Sequence, residues 1–323
     1  MMRAMKQLGM SAAIIGAMSA APVLAQELPA DASNFYKSED VTMRQVTFPN
    51  QYKMNIAGNL FLPKNLDQKK KHAAIIVGHP MGAVKEQSAN LYAVKMAEQG
   101  FVTLSVDLAF WGGSEGQPRN AVSPDLYAET FSAAVDFLGT NPLVDRERIG
   151  VIGSGSFAIS AAKIDPRLKA IATISMYDMG AANRNGLRHG MTLEQRKQIL
   201  KEAAEQRYAE FTGGETRYTS GTVHELTETS TPIEREFYAF YRTPRGEFTP
   251  EGSSPHHTPD VHQQRQVHEL LPVLGHRDDF PAPHAVYRRR KGALHRVQRR
   301  RVQARGGTEG TVYRPRSRAC GSV

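Results

Sequence analysis

IGVIGSGSFA, residues 149–158, joins a short apolar run to a cluster of glycine and serine. Ile149 to Ile152 has the character of a buried strand, and the small-residue segment Ala158 to Lys163 has that of a helix start. Strand, sharp glycine-flanked turn and helix form the setting of a nucleophile elbow, where a serine is forced into an exposed position at a strand end. Small neighbours are needed because the backbone passes close to itself there. Two serines compete: Ser154 has glycine on both sides, and Ser156 has Ser154 and Ala158 two residues before and after. Ser154 is the first choice. With Ser154 as nucleophile, Gly155 begins the helix and its N–H points at the carbonyl under attack, half of an oxyanion hole. A glycine-serine turn without chemistry would look the same in isolation, so the flanking chain has to decide.

Upstream, Val41 to Phe48 and Met54 to Leu62 alternate apolar and polar residues around Pro49-Asn50, as in an antiparallel hairpin. Ala73 to Gly78 is a continuous apolar run, the mark of a strand covered on both faces, and it ends in His79-Pro80-Met81-Gly82. Val84 to Gln99 reads as a helix closed by Gly100. Phe101 to Asp107 is the next buried strand, and its loop, DLAFWGGSEG, holds the only tryptophan, Trp111. Ser123-Pro124 opens the following helix as N-cap and first-turn proline. Ala170 to Met176 is a fourth parallel strand, ending at Tyr177-Asp178-Met179-Gly180. Alternating strands and helices specify an α/β protein with a mainly parallel, doubly wound sheet, whose ligand loops lie at the carboxyl ends of the strands. His79 to Met81, Trp111, Ser154 and Asp178 all fall at such ends, which favours the elbow over a plain turn.

Residues 181–250 change character. Thr192-Leu193-Glu194-Gln195 is a capping box opening a long helix to about Phe211, and Thr231-Pro232-Ile233-Glu234 opens another through Tyr241. Aromatic residues (Phe237, Tyr238, Phe240, Tyr241) gather here, consistent with a cap over the site or with ordinary core packing.

Met1 to Ala25 has a basic start (Arg3, Lys6), an apolar stretch Leu8 to Leu24, and small-residue cleavage before Gln26, the pattern of a signal peptide. It is too short and too small-residue-rich for a membrane span. The expected address is the bacterial periplasm or outside, and the single Cys320 allows no intramolecular disulfide. The net charge of +9 sits wholly in residues 256–323, with 14 Lys/Arg against 5 Asp/Glu; the rest of the chain holds 27 of each. No Rossmann or P-loop glycine pattern is present, and the histidines lack metal-ligand spacing, so no cofactor and no metal is expected. The expected partner is a small-molecule substrate rather than nucleic acid.

HPMG, DLAFWGGSEG, the long stretch RIGVIGSGSFAISAAKIDPRLKAIATISMYDMG and GEFTPEG together resemble the α/β-hydrolase fold, specifically exported bacterial hydrolases similar to dienelactone hydrolases. The resemblance runs from about Val41 to Pro255. It implies Ser154 as nucleophile and the backbone N–H groups of Met81 and Gly155 as the oxyanion hole. Relatives carry about three more residues before the serine, as in GVIGICGSG. The resemblance also implies a carboxylate and a histidine after the last strands, because the serine proton must pass to an oriented imidazole. Asp178 is a fallback acid.

The expected domains are thus a signal peptide (1–25), an α/β-hydrolase domain (26–255, cap about 181–250), and an Arg-rich tail (256–323). The tail shows no buried-strand run, and the family's last two strands are missing from it. It holds 7 of the 11 histidines, none in a convincing Gly-His loop; Gly275-His276 has poor context. A basic binding arm or disorder are the conventional readings. A change of reading frame fits better. Codons for His268 to Val273 read one base later can give MNFYP; Phe280 to Tyr287, FPAPHAVY, can give SPRPMLF; and the stretch reaching Val323 can give AEPKELYIVPGAGHVDLY. The last holds a strand and a Gly-His loop, with the histidine encoded across Ala319 and Cys320. Three family-like segments in order and in one frame point to a serine hydrolase of an ester, lactone or related carbonyl, crippled as written for want of its histidine. The alternative is a hydrolase-like scaffold whose basic tail binds nucleic acid or anionic surfaces, with strongly salt-dependent affinity.

Overall fold

The structure is a computed structural model that describes residues 30–154, 157–176, 178–218, 221–248, 286–290 and 293–297. The leader 1–25, Gly155, Ser156 and most of the tail lie outside them.

Eight strands form one sheet in the order β1-β2-β4-β3-β5-β6-β7-β8. β1 (Val41–Pro49) and β2 (Asn55–Pro63) make the expected hairpin. Its turn is held by Asn50, whose side-chain oxygen accepts from the N–H groups of Tyr52 and Met54, both at 3.0 Å. β2 runs antiparallel to β4 (Val102–Val106), and β4, β3 (His72–Gly78), β5 (Val144–Ser154) and β6 (Leu168–Ile174) are mutually parallel.

Successive residues of a strand face opposite sides of the sheet, and the two faces carry two cores. On one, Ile76, Leu104, Val106 and Val151 meet α2 (Pro124–Thr140) and α3 (Phe157–Ile164) through Phe131, Leu138, Phe157 and Ala161. On the other, Phe61 and Val77 meet Ala89, Ala93, Val94 and Ala97 of α1 (Ala89–Glu98). Fully burying a side chain such as Ile76 contributes roughly 1.5–3 kcal/mol. The α1 face of β4 is polar yet dry: Thr103 Oγ1 donates to the Ala93 carbonyl at 2.8 Å and Ser105 Oγ to Asn90 Oδ1 at 2.6 Å. Gly78 ends β3 under the Phe131 ring, and a Cβ there would lie 2.5 Å from it.

Some boundaries differ from expectation. The predicted helix from Val84 starts only at Ala89, because Val84 to Gln87 is spent on a 3-10 turn whose Val84 N–H donates to the Gln87 side chain. Ser123 precedes α2 but makes no side-chain cap bond; its carbonyl takes the Tyr127 N–H instead. A short helix, α4 (Met179–Asn185), follows β6 where a loop was expected, because Asp178 Oδ1 caps it through Ala181 N–H. In residues 181–250, α5 (Leu193–Phe211) and α6 (Pro232–Tyr241) both start with the expected capping boxes, on Thr192 with Gln195 and on Thr231 with Glu234.

Among the described residues no parallel strand follows β6; a hairpin from the tail lies there instead. β7 (Val286–Arg290) and β8 (Ala293–Val297), both in the Arg-rich tail, form a hairpin laid antiparallel on β6 through Ala170–Arg288 and Ile171–Tyr287. An unpaired ladder accepts any extended segment that reaches it, whatever its direction.

Candidate active site

Register brings the strand ends together. Gly78 lies opposite both Val106 of β4 and Gly153 of β5, and Ser154 lies opposite Ile174 of β6. Adjacent strands are about 4.8 Å apart, so the segments leaving β3, β4, β5 and β6 open at one end of the sheet. Ser154 is the last residue of β5, and α3 begins at Phe157, in the strand–turn–helix order expected. Gly155 and Ser156 fall outside the described residues.

Met81 sits half-buried in the turn after β3, with Gly82 next to it at φ 79°. Among the described residues the Met81 N–H has no hydrogen-bond partner. The turn around it is held on three sides. His79 is 1% exposed and touches the Pro80 carbonyl through Nδ1 at 2.7 Å. The Val84 N–H donates to Gln87 Oε1 at 3.1 Å, and Gln87 Nε2 donates to the Gly246 carbonyl, near the end of the 181–250 segment, at 2.9 Å. The Lys85 N–H donates to Asp107 Oδ1 at 2.8 Å.

Asp107 ends β4 fully buried and serves both neighbouring loops. Besides Lys85 N–H it accepts from Lys85 Nζ at 2.6 Å and from Gly113 N–H at 2.9 Å. Gly112, at φ 50°, is obligatory here, because a Cβ would overlap the Asp107 carboxylate at 2.3 Å. Burial alone would depress Lys85, but Asp107 and Glu86, whose Oε1 lies 2.8 Å from Nζ, hold it above the usual lysine range. Burial, and then the like charge of Asp107, push Glu86 above the usual carboxylate range. Burial lowers His79 despite Asp107 Oδ1 at 4.0 Å, which keeps the ring neutral.

Of the strand-end residues singled out in the sequence, the structure gathers His79 to Met81, Ser154 and Asp178 at one end. Trp111 belongs to the loop after β4 but does not face a ligand: its ring is fully buried, and Nε1 donates to the Ala121 carbonyl at 3.1 Å and to Tyr127 Oη. Asp178 is occupied as the α4 N-cap. Lys85, Gln87 and Asp107 were not singled out in the sequence as site residues, although the signal was visible in polar residues directly following two apolar strand ends.

The described histidines offer no evident base. His72 starts β3 at the opposite end, with Nε2 2.8 Å from the Asp67 carbonyl. His79 has both ring nitrogens engaged. His189 and His224 belong to the cap segment, His224 beside Arg242.

No family model matches the chain. An uncharacterized protein of Pseudomonas aeruginosa, PA2218, is 45% identical over 215 residues, which make up 66% of this chain but only 57% of PA2218. The crystal structure of PA2218 superposes with a TM-score of 0.67 at 39% identity, covering 78% of this chain and 76% of that one. The crystal structure of the α/β hydrolase GrgF from Penicillium sp. sh18 matches at a TM-score of 0.54 and 19% identity, over 72% of this chain and 78% of that one. A thiohydrolase of Aspergillus aculeatus, aneE, is 32% identical over 140 residues, 42% of each chain. Sheet order and these likenesses give the chain the α/β-hydrolase fold, and it belongs to the same family as PA2218 of Pseudomonas aeruginosa.

Proposed function

We propose that the protein descends from an exported serine hydrolase that cleaves an ester, lactone, thioester or related carbonyl through an acyl-enzyme on Ser154. The observation that carries this reading is the register Gly78–Gly153, which sets the Met81 turn and the end of β5 on adjacent strands. Ser154 Oγ attacks the carbonyl carbon, and the developing oxyanion takes hydrogen bonds from Met81 N–H and Gly155 N–H. The tetrahedral adduct expels the alcohol or thiol, and water then hydrolyses the acyl-serine. Ester and thioester chemistry need the same apparatus, and the thiohydrolase relative keeps both in view.

Each proton transfer requires an imidazole, which belongs after the last strands of such a sheet. In this chain that region is the Arg-rich tail. The reading frame changes near the Pro255 codon, and with it the chain loses its base and most of its activity. The intact gene product is periplasmic, cleaved after Ala25.

The test is hydrolysis of p-nitrophenyl butyrate by three proteins: the chain as written, the frame-restored chain, and the frame-restored chain with Ser154→Ala. The frame-restored protein should exceed the other two by about a thousandfold or more. Equal rates for the first two would sink the frame reading. Unchanged activity in the Ser154→Ala protein would remove Ser154 as nucleophile and leave Ser156 as the next candidate.

A further inference from the structure

We propose that His79 is a positioning residue: its imidazole fixes the direction of the Met81 N–H by holding the carbonyl oxygen of the same peptide unit. The proposal rests on the reading of Met81 as an oxyanion donor. No part of it involves His79 touching substrate.

The tautomer of His79 is set by its partners. The Leu108 backbone N–H donates to His79 Nε2 at 3.0 Å. A backbone N–H can only donate, so Nε2 must be the bare nitrogen and Nδ1 must carry the proton. Nδ1 lies 2.7 Å from the Pro80 carbonyl oxygen, which therefore accepts from it. The ring is completely buried, and its burial favours this neutral form. A protonated ring would turn Nε2 into a donor facing the Leu108 N–H.

The second step is peptide geometry. The Pro80 carbonyl and the Met81 N–H belong to one planar unit, and in the trans form they point in opposite directions. Gln117-Pro118 is the cis bond among the described residues, so the Pro80–Met81 unit is trans. With its oxygen drawn inward by His79, and also accepting the Ala83 N–H at 3.2 Å, the Met81 N–H is turned away from the buried imidazole. The core side of the unit is thus taken by the oxygen, and the N–H is left without a partner on the side where the strand ends open. A peptide flip would put that N–H against Nδ1–H, donor facing donor, and would bury it unsatisfied. The same ring is anchored to Leu108, so the direction is tied to the exit of β4 as well as that of β3.

Two substitutions separate positioning from bulk stability. The Asn side-chain nitrogen falls near the place of Nδ1, so His79→Asn keeps a donor for the Pro80 carbonyl and abandons Leu108. The longer Gln side chain reaches the place of Nε2, so His79→Gln keeps an acceptor for Leu108 and abandons Pro80. Each loses one buried hydrogen bond, and a purely structural role treats them alike. The experiment uses the full chain labelled with [15N]methionine, and compares the Met81 amide cross-peak and the residual hydrolysis of p-nitrophenyl acetate. Residual hydrolysis is an apt readout, because without a base the remaining catalysis comes from the oxyanion hole and binding.

The expected result is a Met81 peak close to the parent's in His79→Asn, and one shifted or broadened in His79→Gln. The residual kcat should fall about tenfold or more in His79→Gln with KM little changed, and by less than about threefold in His79→Asn; removing an oxyanion donor outright costs about a hundredfold or more. Equal Met81 peaks in the two variants overturn the proposal. Divergent peaks with equal measurable rates uphold His79 as the positioning residue of this peptide and instead overturn Met81 as an oxyanion donor; divergent peaks with no measurable rate in the parent uphold His79 on the amide signal alone.

Discussion

Replacing Asp107 by Asn should destabilise the fold more than any other isosteric change near the strand ends. The carboxylate is fully buried and accepts three donors: Lys85 N–H, Lys85 Nζ and Gly113 N–H. An amide offers one oxygen and turns two N–H groups toward partners that are themselves donors. It also removes a negative charge 2.6 Å from a buried ammonium that is left with Glu86 alone. Breaking a buried ion pair by removing one partner costs about 3–5 kcal/mol. In a domain of this size each kcal/mol moves Tm by about 2–4 °C, so the shift should be on the order of 6–20 °C downward. Circular dichroism melts of the full chain and its Asp107→Asn form measure it directly. The double substitution Lys85→Met with Asp107→Asn should recover part of the loss, because the orphaned ammonium is gone. A drop below about 2 °C, or strict additivity in the double variant, would refute the account of Asp107 as the joint between the two loops.

Burial pushes Asp165 up, but the Arg167 fork, at 2.9 and 2.8 Å, outweighs it and brings the carboxyl below its ordinary value of 3.8. A depressed carboxylate contributes stability that is complete above the unfolded value and is lost as pH falls through the folded one, so Asp165→Asn should flatten the acid limb of a Tm-versus-pH curve below about pH 4. Gly78→Ala places a methyl 2.5 Å from the Phe131 ring and should cost about 1–3 kcal/mol in urea unfolding, with Phe131→Leu restoring part of it. Mass spectrometry of periplasmic material should find Gln26 as the first residue; an intact Met1 terminus there would overturn the leader reading.

The sheet was legible because its strands are coded twice, by apolar continuity and by the glycines that end them. Ala73 to Gly78 and Ile149 to Gly153 are nearly free of polar residues, and both lie at the centre of the sheet. The capping boxes at Thr192 and Thr231 were legible because they are local, needing only four residues each. Trp111 misled for a physical reason. A lone tryptophan in a strand-end loop suggests a ligand, yet its N–H was satisfied by Ala121 and Tyr127, ten and sixteen residues on, a pairing no local pattern announces. Asp107 and Gln87 were hidden likewise, because their partners lie 22 and 159 residues away along the chain. The antiparallel β7–β8 hairpin carries no apolar run at all, and its place follows from the exposed β6 ladder rather than from its own side chains.

The division of labour in the proposed site explains how a chain can keep its scaffold and lose its chemistry. The parts that build the proposed oxyanion turn lie before residue 158: the Met81 turn, His79 and Asp107 that hold it, and the start of α3. These parts are tied to one another by hydrogen bonds among β3, β4 and their loops, with one tie, Gln87 to Gly246, reaching the end of the 181–250 segment. Among the described residues none of these ties reaches past residue 248. The proposed proton-transfer half belongs to that later part, since the base of such a triad follows the final strands. On the proposed reading, a frame change near residue 255 cuts between two functions rather than through one. The residual rate of such a chain should then report on His79 and Met81 without interference from a triad.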